Sequence, residues 1–370
     1  MRLEVNLLNI LLIVGTTFLI SYLFMFINKP LSRYLGAIDI PNEKRRIHKV
    51  PTPRMGALGI YISFLIGYMI FGVPSVQMNS ILIASFFLIV TGMLDDIKPI
   101  PNKYKLIIQV IAALITMFYG GFLLKEIDAF GINIHFGWFS YLITLFFIVG
   151  AINCINFIDG MDGLAGGICA IYFLTVGIIA TITGHFNGLD VLLCFVTLGA
   201  TLGYLKHNFH PAKIFMGDGG SMFLGYIIAV IALIGYKNVT FGSLLVPIAL
   251  LAIPILDTLL AIIRRLIKHK SPMTPDKGHL HFQIYKYNNS EVKTVLIIYA
   301  VDLLFAAITI FYVLDDSRIA IPIYAVLFIL FIFLIVKTNI LLSPKMKRRV
   351  IKRLFPRYYN RKIKSTKNKN

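Results

Sequence analysis

Asn153, Asn156, Asp159 and Asp162 recur at intervals of three in the run NCINFIDGMDGLAGG, between two apolar stretches long enough to cross a bilayer. A charge at the centre of a membrane helix costs roughly 2.5–3.5 kcal/mol on insertion scales, so polar groups gathered beside such stretches point to chemistry before stability. Carboxylates and carboxamides are oxygen ligands that magnesium accepts, and they also hydrogen-bond a nucleobase or ribose. On one helix the four groups form a slanting stripe, drifting by about 60° per step. Gly160 and Gly163 predict a helix break near Asp159 that lets backbone approach a ligand. Polar residues linking helices within a bundle are the structural alternative.

Three other segments carry similar groups. Asp95 and Asp96 end an apolar stretch in TGMLDDIKP, where two acids at a helix C-terminus oppose the macrodipole by about 0.3–1 kcal/mol each. A bound cation or a proton-acceptor role accounts for them better than stability does; solvated acids at a helix end are the plain alternative. Lys105 and Gln109 follow at i, i+4 spacing on one helix face. That lysine either snorkels or meets a phosphate. In HNFHPAKIFMGDGGSMFLGY, Asp218 sits among Gly217, Gly219 and Gly220, a turn into a helix N-terminus that offers N–H groups to phosphate. Asp218 either caps that helix or holds a metal, and Lys213 adds a compact positive charge. In PDKGHLHFQIY, His279 and His281 are alternate residues, which in an extended segment face one way. Neither a cysteine nor a third nearby histidine completes a zinc site, so phosphate contacts suit them better. Asp257, about two turns before Arg264, reads as an internal ion-pair partner. His48, with Arg45 and Arg46, either shapes a nucleotide entrance or belongs to a basic surface cluster.

The elements that hold these groups are membrane helices. Of 370 residues, 58% are hydrophobic and 14% charged, and the mean hydropathy is +0.80, far from an ordinary soluble domain. Apolar runs of about 20 residues fall near 6–27, 55–73, 78–94, 105–124, 138–154, 164–183, 189–206, 219–236, 243–263, 293–313 and 319–341. The expectation is an all-α polytopic membrane protein of about eleven transmembrane helices. A membrane domain over 1–342 precedes a basic, disordered tail over 343–370. Lys29, Arg33, Lys44, Arg45, Arg46, Lys49 and Arg54 crowd the first loop, and twelve basic residues follow from Lys345 onward. The positive-inside rule then puts the N-terminus outside and the C-terminus and all four motifs on the cytoplasmic face. The first span has no small-residue cleavage site and reads as retained. The formal net charge of +19 suits anionic membrane lipids, and no nucleic-acid partner is expected. Cys154, Cys169 and Cys194 lack metal or disulfide spacing and read as core residues.

Through IPNEKRRIHKVPTPRMG, LDDIKPIPNKYKLIIQ, NCINFIDGMDGLAGG and NFHPAKIFMGDGGSMFLG, the chain from about Asp39 to His281 resembles the polyprenyl-phosphate N-acetylhexosamine-1-phosphate transferases. This family includes initiators of bacterial teichoic acid and O-antigen synthesis. The resemblance implies a magnesium-dependent enzyme, with Mn2+ as a substitute, in the cytoplasmic membrane and acting at its cytoplasmic face. It takes a UDP-N-acetylhexosamine, foremost UDP-N-acetylglucosamine, and undecaprenyl phosphate, and releases UMP. A homodimer is one arrangement open to it. By motif, Asp95 and Asp96 bind or deprotonate the lipid phosphate, and Lys105 touches phosphate. Asn153, Asn156, Asp159 and Asp162 serve the nucleotide, with Asn156 and Asp159 also toward metal. Asp218 is a magnesium ligand with Asn208 nearby, His279 and His281 meet the sugar phosphate, and Lys213, Arg46 and His48 bind substrate. Two departures bear on the donor sugar: Phe282 and Gln283 follow His281, and Ala57 follows Gly56 where a glycine pair is usual. A transporter is the rival class, but it would place its acids at the midplane of repeated, broken helices.

Overall fold

The computed structural model describes residues 7–41, 50–129, 132–183, 188–237, 245–267, 278–314, 322–327 and 329. Arg45, Arg46, His48 and the tail over 343–370 lie outside the described residues. Helices dominate: α1 (Leu7–Tyr34), α2 (Gly56–Phe71), α3 (Val76–Ile97), α4 (Asn102–Leu114), α5 (Phe139–Ile158), α6 (Leu164–Ile182), α7 (Leu189–Asn208), α8 (Gly217–Lys237), α9 (Leu245–Leu250), α10 (Ala252–Ile267), α11 (Leu280–Asn288) and α12 (Glu291–Leu314). Among the described residues there are also two short antiparallel ribbons, β1 (Ile38–Asp39) with β2 (Thr52–Pro53) and β3 (Glu126–Ala129) with β4 (Ile132–His135).

Among the described residues seven helices, α1, α3, α5, α6, α7, α8 and α12, are long and apolar enough to cross a membrane. Where three more spans are expected, the helices are shorter. Helix α2 has 16 residues, α4 runs into a π-helical turn over Ile115–Tyr119, and the span expected over 243–263 is split into α9 and α10. Pro254 accounts for the split: it lacks an N–H, and its ring conflicts with the carbonyl four residues back, where α9 ends. Of the eleventh expected span, only 322–327 and 329 are described.

The burial pattern is that of a protein in lipid. Helix α1 turns Thr17, Ser21, Asn28 and Ser32 inward while Leu8, Leu12, Leu19, Leu23 and Phe26 face out. In hydrocarbon, apolar side chains gain nothing by leaving the surface, and small or hydroxyl residues let helices approach closely. Thus Ser63 Oγ donates to the Thr17 carbonyl at 2.6 Å across the α1–α2 contact.

Helix α8 is the core around which the site is assembled. Phe223, Tyr226, Ile227, Ile228, Ala229 and Val230 are fully buried, and α8 packs against α2, α3, α5, α6 and α7. A Cβ on Gly92 would meet the Gly219 backbone, so α3 and α8 cross backbone to backbone near the ends that carry their acids. Gly225 likewise lies against the Ala151–Ile152 backbone of α5.

Candidate functional site

Asp95 and Asp96 stand at the end of α3 because Pro99 and Pro101 stop the helix and turn the chain into α4. Ile100 N donates to Asp95 Oδ1 at 2.7 Å, which fixes that turn. Across the α3–α8 contact, Asp218 occupies the first turn of α8, where a negative charge complements the helix dipole. Its own N–H donates to Asp96 Oδ1 at 3.3 Å. Carboxylate oxygens of Asp95, Asp96 and Asp218 all lie within 4.8 Å of one another. Gly217 permits this approach: its φ is +75°, and a Cβ there would strike the Asp96 carboxylate.

Two cations hold the three acids together. Lys105 Nζ donates to Asp218 Oδ2 at 2.7 Å and to Asp95 Oδ2 at 3.2 Å. Arg54 lies with Nε 3.3 Å from Asp96 Oδ1 and Nη2 3.5 Å from Asp218 Oδ1. Burial disfavours the Arg54 charge, but the surrounding acids, Asp96, Asp218, Asp39 and Asp95, together outweigh burial and raise its pKa. Asp96 Oδ2 is buried and has no hydrogen-bond partner among the described residues. Three carboxylates with such an oxygen are a donor set that suits Mg2+.

Lys105 also opens a cavity of about 380 Å3 between α4, α5, α8 and α10. Asp218, Gln109, Asn153 and Asn156 line its polar part; Phe146, Ile255, Leu259 and Ile262 line the remainder. Phe146 and Leu259 are also exposed on the apolar exterior, so the cavity reaches the surface that faces lipid. Lys105 and Gln109 share one face of α4, as their spacing predicts. Gln109 Oε1 accepts from Asn153 Nδ2 at 2.7 Å, and Asn156 Nδ2 donates to Ser221 Oγ at 2.9 Å.

Helix α5 ends at Ile158, with Asp159 as its C-cap, so the expected break is present. The stripe therefore covers only Asn153 and Asn156; Asp159 and Asp162 lie on the turn into α6. Asp159 keeps an exposed edge, but the surrounding protein desolvates it. Burial first, then Asp218, raises its pKa to about 7, with Arg54 opposing. Asp162 Oδ2 accepts from His210 Nδ1 and Ala212 N, both at 2.9 Å. Glu291 Oε2 lies 3.6 Å from the same His210 nitrogen. Asn208 uses its side chain on the backbone, accepting from Gly163 N and donating to the Ile214 carbonyl, each at 2.9 Å. Lys213 is exposed, and its N–H donates to the His207 carbonyl at 2.9 Å.

His279 and His281 do share a side, their rings stacking at 5.6 Å and 14°. The segment is not extended, however: His279 is the N-cap of α11 and His281 lies in its first turn. Asp257 is the anchor. Its Oδ2 accepts from His279 Nδ1 at 3.0 Å, its Oδ1 accepts from Leu280 N at 2.8 Å, and His281 Nδ1 lies 3.7 Å from Oδ2. Asp257, expected as an internal ion-pair partner, here supports the two histidines. Both His281 ring nitrogens are buried with no hydrogen-bond partner among the described residues, and burial lowers the pKa of that ring. A Cβ on Gly160 would lie 2.6 Å from His281 Nε2, so this glycine brings the acid-bearing turn against the histidine.

Sequence reasoning missed Arg54, Asp257 and His210 as members of the site. An acid inside an apolar span was the available signal for Asp257; Arg54 and His210 were masked by neighbours that carry basic charge or motif residues already.

Residues 78–236 match the family described as glycosyl transferase family 4. A probable undecaprenyl-phosphate N-acetylglucosaminyl 1-phosphate transferase of Bacillus subtilis is 36% identical over 360 residues, 94% of this chain and 96% of its own. A decaprenyl-phosphate N-acetylglucosaminephosphotransferase of Mycolicibacterium smegmatis is 34% identical over 294 residues, covering 71% and 72% of the two chains. An undecaprenyl-phosphate alpha-N-acetylglucosaminyl 1-phosphate transferase of Escherichia coli K12 is 31% identical over 290 residues, covering 76% and 78%. With these relatives aligned along most of its length, the chain belongs to glycosyl transferase family 4, among the polyprenyl-phosphate N-acetylhexosamine-1-phosphate transferases.

Proposed function

We propose that this protein transfers N-acetylglucosamine 1-phosphate from the UDP-sugar to undecaprenyl phosphate at the cytoplasmic face of the cell membrane. The observation that carries the reading is the meeting of Asp95, Asp96 and Asp218 with Lys105 at the polar end of a cavity whose other wall reaches lipid. A phosphate on an apolar tail fits that polarity. An oxygen of the lipid phosphate forms a bond to the sugar-bearing phosphorus, the bond from that phosphorus to the bridging oxygen breaks, and UMP departs with the oxygen. Such a displacement calls for alignment and charge neutralisation more than for a protein nucleophile.

Asp95, Asp96 and Asp218 would hold Mg2+, which when bound supplies charge neutralisation at the phosphates. Lys105 holds the acceptor phosphate at the cavity mouth. Asn153, Asn156, Asp159 and Asp162 serve the nucleotide, and His279 and His281, supported by Asp257, meet the donor's phosphates. Asn208 supports the turn that carries Asp162, and Lys213, Arg46 and His48 would bind substrate. Eleven spans with the N-terminus outside, and a separate basic tail over 343–370, complete the proposed architecture. The product would prime a cell-envelope polysaccharide such as teichoic acid.

The test is UMP release by the detergent-purified protein from undecaprenyl phosphate and a panel of UDP-N-acetylhexosamines, with Mg2+ and with chelator. Metal-dependent UMP from UDP-N-acetylglucosamine, lost in a folded Asp218→Asn protein, is expected. Metal-independent turnover, or near-normal turnover by Asp218→Asn, would remove the triad from the reaction.

A further inference from the structure

The acid triad is approached by its two cations from different sides. Lys105 comes from α4 and lines the apolar cavity, whereas Arg54 comes from the turn between β2 and α2 and is absent from that lining. Arg54 instead exerts its charge on Asp159, at the end of α5.

The two cations are also held differently. Lys105 makes a short contact to Asp218, at 2.7 Å. The Arg54 guanidinium straddles two carboxylates at 3.3 and 3.5 Å, longer than the 2.7–2.9 Å of a strong charge-assisted hydrogen bond. Its side chain is 29% exposed although that of Asp96 beneath it is fully buried. The backbone beside it is firmly fixed: Arg54 N donates to the Ala37 carbonyl at 3.0 Å, Phe215 N to the Pro53 carbonyl at 2.7 Å, and Gly56 N to the Phe215 carbonyl at 2.9 Å. A pinned backbone with a loosely held, part-exposed head allows the guanidinium to exchange partners without disturbing the fold.

Charge gives a reason for the exchange. Three carboxylates and two cations sum to a formal charge of −1, so a divalent ion brings the cluster to +1 and leaves Arg54 superfluous beside the acids. A guanidinium released there matches a phosphate in a planar, two-pronged way that an ammonium does not.

We propose that Arg54 is the counter-ion of the metal-free triad and passes to the diphosphate of the donor when a divalent cation takes its place between Asp96 and Asp218. This rests on the triad being the metal site proposed above. The two cations then divide the phosphates, Lys105 meeting that of the acceptor and Arg54 those of the donor. A purely structural Arg54 predicts the reverse for metal: without it the acids would repel, spread, and bind an ion more weakly.

The test uses electron paramagnetic resonance of Mn2+ titrated into the detergent-purified protein without substrate, followed by UDP titration of the Mn2+-loaded form. Arg54→Gln, checked for folding by size-exclusion elution, is expected to bind Mn2+ about tenfold more tightly, since a competing positive charge has left the triad. The same variant should bind UDP about tenfold more weakly. Arg54→Lys, the variant to use if glutamine is not folded, keeps the charge but cannot straddle both acids. It should bind Mn2+ with affinity between the other two proteins and still bind UDP more weakly than wild type. Unchanged or weaker Mn2+ binding by folded Arg54→Gln, or unaltered UDP binding in both variants, would overturn the exchange alone. Wild-type protein that takes up no Mn2+, or takes it up equally well after Asp218→Asn, would overturn the metal site and the exchange together.

Discussion

Asp257→Asn tests how the histidines are held. The carboxylate accepts from His279 Nδ1 at 3.0 Å and from Leu280 N at 2.8 Å, one oxygen each, in a buried position. Asparagine keeps the volume but has a single acceptor oxygen, so its NH2 must face one of these two donors. A hydrogen bond to a charged group contributes about 1.5–3 kcal/mol net. At 1.36 kcal/mol per tenfold, losing one such bond corresponds to a fall of roughly 10- to 150-fold in turnover, provided the histidines act only when docked. Steady-state UMP release should show the loss in kcat, with the donor KM little changed, because the substrate is not what Asp257 touches. In a double-mutant cycle, adding Asp257→Asn to His279→Ala should do little further harm. A folded Asp257→Asn protein within twofold of wild-type kcat would refute the claim that this aspartate positions the pair.

Gly160→Ala would place a Cβ 2.6 Å from His281 Nε2; overpacking of this kind costs about 1–3 kcal/mol, and turnover should fall about tenfold or more, with full activity excluding a role for the His281 ring position. The pH dependence of stability should carry a mark of Asp159. Burial, then Asp218, raises its pKa from 3.8 to about 7, so between these values the folded protein holds a proton that the unfolded chain has released. Its contribution to stability is therefore complete below about pH 4 and lost as pH rises through about 7. The unfolding temperature of the chelated protein should drop across that window, and Asp159→Asn should flatten the slope; an unchanged slope would mean that Asp159 is already ionised.

The sequence conveyed the membrane class and the chemistry of the motifs because both depend on local composition. Asp95 and Asp96 are legible because two acids at a helix C-terminus oppose its dipole, and Asp218 because a glycine-rich turn into a helix surrounds it. Grouping was harder to read. Asp95 and Asp96 join Asp218 through a backbone-to-backbone crossing at Gly92 and Gly219, and two isolated glycines do not announce their partner. Asp257 and His279 are 22 residues apart and meet only because α11 folds back on α10. The division at Pro254 was legible in principle, but a long apolar window hides one proline. His279 and His281 were assigned to one side correctly and to the wrong backbone, since a helix N-cap and its first turn can present two alternate residues together.

The cavity beside Lys105 has a further consequence for the acceptor. At about 380 Å3 it is too small for a whole polyprenyl chain, and its wall at Phe146 and Leu259 opens to the hydrocarbon. With the acceptor phosphate at Lys105, as proposed above, this cavity would enclose only the isoprene units next to it. Among the described residues this cavity therefore reads the phosphate end of the acceptor and not the length of its tail, and an acceptor a unit shorter or longer presents the same end to Lys105.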